Sequence, residues 1–147
     1  MKITILCAGK IKEKFYQDAI AEYNKRLSRY CKCNVIELAD GPDMYAEAER
    51  FLARMPEDAY IVTLEILGKK LNSVEFARKI ESLGIEGKSH ICFVIGGSDG
   101  LADEVLKKSN FRLSFSDMTF PHQLMRVILF EQIYRSFRII ANEPYHK

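Results

Sequence analysis

The sequence is poor in the residues and runs that mark disordered, secreted or membrane-embedded chains. Only 8 glycines and 4 prolines occur in 147 residues, which excludes a low-complexity or unfolded chain. No apolar run approaches the roughly 20 residues that a transmembrane helix needs. The N-terminal residues show neither the apolar segment nor the cleavage pattern of a signal peptide. We therefore expect a cytosolic globular protein with no membrane partner.

Cysteine is also scarce, and its 4 occurrences form no recognisable metal or disulfide framework. Cys7 and Cys92 lie in apolar runs and are expected to be small buried hydrophobic residues. Cys31 and Cys33 form a Cys-x-Cys pair, but no second pair or histidine cluster completes a zinc set. The sequence therefore predicts no metal, and it assigns no role to this pair.

A strong excess of charge of one sign is missing as well. The formal net charge is +2, which argues against a protein that coats bare nucleic acid. The basic residues are nevertheless concentrated, because residues 10–32 contain seven lysines and arginines against three acidic residues. This basic segment is most simply a solvated helix face, and a local contact with phosphates is the alternative.

What the sequence does contain is apolar residues, 48% of the chain, in regularly alternating patterns. Short β-branched and apolar runs predict strands at residues 2–8, 33–39, 59–64, 90–95 and 111–115. Amphipathic or capped segments predict helices at residues 12–30, 45–55, 73–83, 101–108 and 121–140, with a loop at residues 65–71. This alternation predicts a single α/β domain: a mostly parallel sheet of five or six strands with helices on both faces.

Three loops at the carboxyl ends of predicted strands are candidates for a ligand site, because ligands of such folds bind there. They follow Leu64, Ile95 and Phe115. The second loop is rich in glycine at residues 96–100, and is interpreted either as a tight structural turn or as a nucleotide-binding loop. The third, at residues 115–120, either packs as a plain connection or holds an adenine between aromatic walls and main-chain polar groups.

The last predicted helix is apolar over most of its circumference, which is more than one face against a sheet requires. Excess apolar surface of this kind favours a homodimer. Glu131 and Arg135 have the spacing of a surface ion pair. Tyr145 and His146 follow the helix in a segment that is usually disordered, but His146 is also a candidate for proton transfer, because histidine titrates near neutral pH.

In combination and in this order, these segments resemble one family over the whole chain. They include Ile-Gly-Gly-Ser-Asp-Gly-Leu at residues 95–101, Phe-Pro-His-Gln-Leu-Met-Arg at residues 120–126 and Pro-Tyr-His-Lys at residues 144–147. They resemble the RlmH family, the bacterial ribosomal RNA large-subunit methyltransferases H, which are the smallest SPOUT enzymes. The chain departs from some relatives in a shorter connection around residues 40–44, far from these motifs in sequence.

The resemblance implies a fold and a cofactor that periodicity does not show. It implies a deep trefoil knot in the C-terminal part of the chain, a topology that general rules disfavour. It also implies S-adenosylmethionine as the cofactor, bound in the knot of a homodimer. The residues that match cofactor contacts of the family are Leu64, Gly96, Phe115, Ser116, Asp117, Met118, Thr119 and Phe120.

The reaction that the resemblance implies is methylation of N3 of a pseudouridine, of the position 1915 type, in the helix 69 loop of 23S rRNA on the assembled ribosome. Arg135, Tyr145 and His146 match positions tied to substrate binding and catalysis, with the tail serving the partner's site. We hypothesise that His146 assists proton removal or orients the base, that Tyr145 packs on it, and that Arg135 holds a phosphate or a uracil oxygen.

Two other classes of protein are alternatives to an enzyme. A nucleotide-binding regulatory module would use the glycine-rich turn and would not need the Tyr-His pair. A non-catalytic ribosome-associated factor would bind through the basic segment.

Overall fold

The structure, a computed structural model, describes all residues 1–147. Strands and helices alternate along the whole chain. In order they are β1 (Lys2–Ala8), α1 (Lys14–Leu27), β2 (Lys32–Leu38), α2 (Met44–Arg54), β3 (Tyr60–Lys70), α3 (Ser73–Ile85), β4 (His90–Ile95), α4 (Asp103–Leu106), β5 (Phe111–Ser114) and α5 (His122–Ile140). The predicted order of elements is confirmed.

The five strands form one sheet in the order β2-β1-β4-β3-β5, and every neighbouring pair is parallel. All six residues of β4 are buried, which explains why this strand has no polar face in the sequence. Because all strands point the same way, their carboxyl ends lie along a single edge of the sheet. The α/β fold class is confirmed, with five strands.

Helices cover both faces of the sheet. One core cluster joins the sheet to α1, α3 and α5 through residues such as Leu27, Ile80 and Leu129. The other joins the sheet to α2 and α4 through Phe51 and Val105. Within the first layer, α5 packs against both α1 and α3. No helix of the chain is long and apolar enough to span a membrane.

The prediction of a loop at residues 65–71 is wrong, because β3 continues through most of this segment. Leu113 in β5 lies opposite both Leu64 and Lys69, so the residues between these two bulge out of the strand. Gly68 makes the bulge possible, since a Cβ at this position would lie 2.8 Å from main-chain atoms of β5. Pairing with a distant strand therefore extends β3 beyond its apolar run.

Helix boundaries differ from the prediction in α1, α4 and α5, and α1 spans Lys14–Leu27 rather than residues 12–30. The helix predicted at residues 101–108 is a single turn, because Ala102 has extended backbone angles and serves as its N-cap. Pro121 is the N-cap of α5 rather than a residue of its first turn, with φ −55° and ψ 136°. By contrast, α3 begins as predicted after Asn72, whose side chain forms a reciprocal capping box with Glu75.

Candidate functional site

The loops that follow β4 and β5 and the bulge of β3 line one cavity at the carboxyl edge of the sheet. The cavity encloses about 140 Å³ and opens into a wider recess of about 720 Å³ that shares much of its wall. We call the two together the strand-end cleft. Its shared wall consists of Leu64, Glu65, Ile66, Gly97, Gly100, Thr119, Phe120 and His122.

The residues that match cofactor contacts of the family lie together around this cleft. All of them except Asp117 line it. The Asp117 side chain is 80% exposed and forms an ion pair with Lys70, with 2.5 Å between Nζ and Oδ2. The structure thus brings the predicted residues to one place, and their binding of a cofactor stays a prediction.

The glycine-rich loop after β4 is both a tight turn and a wall of the cleft. Gly100 has φ +84°, and its amide donates to the carbonyl of Gly97 at 3.0 Å. A Cβ on Gly96 would lie 2.6 Å from the carbonyl carbon of Gly100. The two interpretations of this loop are therefore compatible, because the turn that requires glycine also brings bare backbone to the cleft.

The loop after β5 forms the aromatic side of the cleft. Phe115 packs edge-on against Phe76, with ring centroids 6.2 Å apart and an interplanar angle of 88°. Ser116 Oγ accepts from the amide of Met118 at 3.0 Å, and Ser114 Oγ donates to the carbonyl of Ser116 at 3.1 Å. These short-range bonds hold the loop in shape, and Met118 is left largely exposed.

Glu65 is a residue of the cleft that the sequence interpretation did not select as a site residue. Its Oε2 atom is buried and has no hydrogen-bond partner. The nearest cation, Arg112 Nη1, is 3.9 Å away, which is too far for a hydrogen bond. An unsatisfied buried acceptor costs about 1–3 kcal/mol, so the position is poised for a ligand donor. The signal in the sequence is a carboxylate directly after the strand predicted at residues 59–64.

Arg126 fastens the first half of α5 to the carboxyl ends of β1 and β2. Its side chain is 1% exposed, and Nη1 lies 2.9 Å from Oε2 of Glu37. Its Nη2 donates to the carbonyls of Ala8 at 2.5 Å and Gly9 at 2.7 Å. One turn earlier on the same helix, His122 lines the cleft. The buried arginine therefore holds one wall of the cleft in place.

A second, polar cavity adjoins the strand-end cleft. It encloses about 320 Å³, has no hydrophobic residue in its lining, and shares Gly97, Ser98, Asp99 and His122 with the cleft. Lys10 and Lys12, from the start of the basic segment, line it together with carboxylates that include Glu47. The basic segment thus reaches the neighbourhood of the cleft, in a setting where both signs of charge are present.

The segment after α5 is ordered against that helix. The hydroxyl of Tyr145 donates to Oε2 of Glu131 at 2.7 Å. Arg135 donates to both Glu131 oxygens, at 3.1 and 2.7 Å, and its guanidinium carbon lies 4.7 Å from the centroid of the Tyr145 ring. Nη1 of Arg135 lies 3.0 Å from Nδ1 of His146. Arg135, Tyr145 and His146 therefore form one cluster, organised by Glu131.

The chemistry of this cluster follows from its hydrogen bonds. A guanidinium can only donate, so Nδ1 of His146 is the acceptor and the ring proton of the neutral imidazole lies on Nε2. Burial and the hydrogen bond to Glu131 raise the pKa of Tyr145 from 10.0 to about 12. Tyr145 is therefore a neutral donor at physiological pH and cannot act as a base.

The cluster and the cleft are separate within one chain. None of Arg135, Tyr145 and His146 lines either cavity of the strand-end cleft. The structure thus assembles the two halves of the predicted site individually and does not bring them together in a single subunit.

The four cysteines are free thiols. Burial raises the pKa of Cys7, Cys33 and Cys92 to about 12 and that of Cys31 to about 11. The thiols are thus protonated at neutral pH and poor nucleophiles. The chain contains no group of three or more His, Cys, Asp and Glu side chains arranged to hold a metal ion.

Comparison with known proteins places this geometry among methyltransferases. Residues 1–146 match the family model described as predicted SPOUT methyltransferase. The chain is 58% identical, over 159 aligned positions that cover both proteins completely, to a protein of Methanococcus vannielii named putative ribosomal RNA large subunit methyltransferase H. It is 54% identical, with the same complete coverage, to the ribosomal RNA large subunit methyltransferase H of Clostridium novyi.

Two solved structures share the fold at low sequence identity. A probable methylase family protein from Haemophilus influenzae gives a TM-score of 0.62 at 14% identity, covering 99% of this chain and 70% of that one. A tRNA (m1G37) methyltransferase from Aquifex aeolicus gives 0.55 at 14% identity, covering 92% and 70%. At this identity the likeness concerns the fold alone.

Proposed function

Because the chain belongs to the SPOUT methyltransferase family, among the ribosomal RNA large subunit methyltransferases H, we propose that it methylates N3 of a pseudouridine in the helix 69 loop of 23S rRNA. The methyl donor is S-adenosylmethionine, and the substrate is the assembled ribosome, in the cytoplasm. The observation that carries the proposal is the convergence of the β3 bulge and the loops after β4 and β5 on one cleft in a member of this family.

The strand-end cleft has the features that an adenosyl cofactor needs. Phe115 and Phe120 supply apolar walls for an adenine, and the bare backbone at Gly96 permits close approach. The unpaired Oε2 of Glu65 can accept from a ribose hydroxyl or an ammonium group. When bound, the cofactor supplies a methyl group already activated on a sulfonium. The proposal includes the trefoil knot of the family as the topology that brings these loops together.

The protein must also align the base with the methyl group and promote loss of the proton on N3. His146 offers its Nε2 proton, because Arg135 occupies Nδ1. This arrangement supports an orienting role, in which His146 donates to a carbonyl oxygen of the base. The Arg135 guanidinium then stabilises the negative charge that spreads over the base as the N3 proton leaves to water. Tyr145 fixes the geometry by binding Glu131 and stacking on Arg135.

The proposed enzyme is a homodimer in which each tail completes the cleft of its partner. Two observations support this arrangement. The tail cluster does not line the cleft of its own chain. In addition, Leu124, Val127 and Ile128 on α5 are only partly buried and belong to neither core cluster, as expected of a helix face that packs against a second subunit.

The experiment that tests the reaction is incubation of the purified protein with unmodified ribosomes and methyl-labelled cofactor, followed by mapping of the label by RNA mass spectrometry. We expect label at N3 of one pseudouridine in ribosomes and little in naked transcripts, because a protein of net charge +2 has low affinity for free RNA. Cofactor binding without any label in 23S rRNA would instead support the regulatory module, and ribosome binding alone the non-catalytic factor.

The shared site is tested by mixing two inactive variants. His146→Ala removes the tail function, and Glu65→Lys blocks the cleft. If each tail serves the partner, randomly mixed subunits regain about a quarter of wild-type activity, since half of the dimers contain one intact composite site. If tail and cleft act within one chain, the mixture stays inactive.

A further inference from the structure

The chain reverses direction sharply where α5 ends. Asn142 has φ 56°, its amide donates to the carbonyl of Ile139 at 3.0 Å, and the amide of Glu143 donates to the carbonyl of Arg138 at 2.8 Å. This pair of bonds is a Schellman motif, and asparagine is one of the few residues that tolerate its left-handed position. The motif turns Glu143 and the following residues back along the helix.

After this turn, Glu143 enters a compact set of charged hydrogen bonds. Its Oε1 accepts from the hydroxyl of Tyr30 at 2.7 Å, and its Oε2 accepts from Nη1 of Arg138 at 2.9 Å. The same Arg138 nitrogen lies 3.2 Å from the Tyr30 hydroxyl oxygen, while Nη2 donates to the carbonyl of Pro144 at 2.9 Å. We call Tyr30, Arg138 and Glu143 the tail clasp.

The clasp is itself rigidly supported. The ring of Tyr30 stacks on Phe137, with centroids 5.7 Å apart and an interplanar angle of 11°. The hydrogen bond from Tyr30, together with the charges of Arg138 and Arg29, lowers the pKa of the Glu143 carboxyl below its ordinary value. Glu143 is therefore ionised at neutral pH, when its hydrogen bonds are of the stronger, charge-assisted kind.

We propose that the tail clasp is a positioning device for the catalytic tail, an inference that rests on the proposed function. Tyr30, Arg138 and Glu143 hold Pro144 in place, and this fixes where Tyr145 and His146 meet Arg135. Without the clasp, the segment would sample many conformations and would have to be ordered at each encounter with the RNA. None of the three residues lines the strand-end cleft. The clasp therefore affects the residues proposed to bind the RNA base and leaves the cofactor cleft unchanged.

The test uses Tyr30→Phe, which keeps the ring that stacks on Phe137 and removes only the hydroxyl. We expect kcat on ribosomes to fall about tenfold, because two hydrogen bonds to charged partners are lost. Affinity for S-adenosylhomocysteine should stay at the wild-type value. The matched control is Tyr45→Phe on α2, where the tyrosine is 61% exposed and the same atom is removed; its kcat should not change.

A second measurement reports on the tail without any turnover. Hydrogen exchange followed by mass spectrometry should show faster exchange of residues 142–147 in Tyr30→Phe than in the wild type or in Tyr45→Phe. Because Glu143 is the partner of the Tyr30 hydroxyl, Tyr30→Phe combined with Glu143→Gln should lose little more activity than Glu143→Gln alone.

The outcomes separate this inference from the proposed function. Wild-type kcat and wild-type tail exchange in Tyr30→Phe would overturn the inference. So would a loss of kcat accompanied by weaker binding of S-adenosylhomocysteine or by faster exchange throughout the sheet, since that pattern indicates general destabilisation. If the wild-type protein does not methylate ribosomes, the proposed function fails, and the exchange data alone decide whether the clasp orders the tail.

Discussion

Replacing Glu65 with glutamine should weaken ligand binding in the strand-end cleft without reducing the stability of the ligand-free protein. In the free protein the Oε2 atom is buried and unpaired, so the neutral amide of Glu65→Gln removes a poorly compensated buried charge at nearly unchanged side-chain size. In the complex we expect the same atom to accept a hydrogen bond from the cofactor. Glu65→Gln should therefore weaken ligand binding while the free energy of unfolding stays near the wild-type value, whereas ordinary core damage lowers both.

The size of each effect follows from the surroundings of Glu65. Its side chain is only 20% exposed, so a charge-assisted bond to a ligand is worth about 1.5–3 kcal/mol, and its loss should raise Kd about 10- to 150-fold. Arg112 is half exposed and 3.9 Å away, so loss of this screened ion pair costs at most about 1 kcal/mol. The free energy of unfolding should thus change by no more than about 1 kcal/mol in either direction.

Isothermal titration calorimetry with S-adenosylhomocysteine and with 5′-methylthioadenosine provides the measurement, and urea unfolding provides the stability. Weaker binding of both ligands identifies a ribose hydroxyl as the donor to Glu65. Weaker binding of S-adenosylhomocysteine alone identifies the ammonium group, which 5′-methylthioadenosine lacks. An unchanged Kd for both ligands would refute the assignment, and Glu22→Gln on the exposed face of α1 is the matched control.

Three further predictions concern the scaffold and the tail. Arg126→Met leaves two carbonyls without their partner and Glu37 with only the amide of Ile11, and should destabilise the fold by about 3 kcal/mol. The melting temperature should then fall by roughly 10 °C in calorimetry, and a wild-type value would contradict this. Gly68→Ala places a methyl group against the β5 backbone and should cost about 1–3 kcal/mol in urea unfolding; equal stability would show that the bulge yields. Burial of Tyr145 and its hydrogen bond to Glu131 raise the pKa of the phenol from 10.0 to about 12, so the docked tyrosine stabilises the fold below pH 10 and this contribution is lost between pH 10 and about 12. An ultraviolet titration that assigns Tyr145 a midpoint near 10, by difference from Tyr145→Phe, would contradict this docked environment.

The architecture and the neighbourhood of the site could be read from local pattern. The apolar run at His90–Ile95 coincides with β4. Asn72 caps α3 through a capping box with Glu75, three residues later in the sequence. Because strands that alternate with helices run parallel, three loops at predicted strand ends had to share one edge of the sheet. The residues around the cleft follow from this rule, and the resemblance to a family added the proposed chemistry.

Other features were decided only by contacts between residues far apart in the chain. The bulge of β3 depends on pairing with β5, and the partners of Arg126 lie 89 to 118 residues away. The clasp joins Tyr30 to Glu143 across 113 residues. The periodicity of apolar residues predicts which face of a helix or strand is buried. It cannot predict which distant residue a single buried charge or hydroxyl will contact. Local sequence pattern therefore predicts the layers of the fold and the sheet edge that carries the cleft, whereas packing between distant residues decides which polar atom is unpaired in the cleft and how the tail is held.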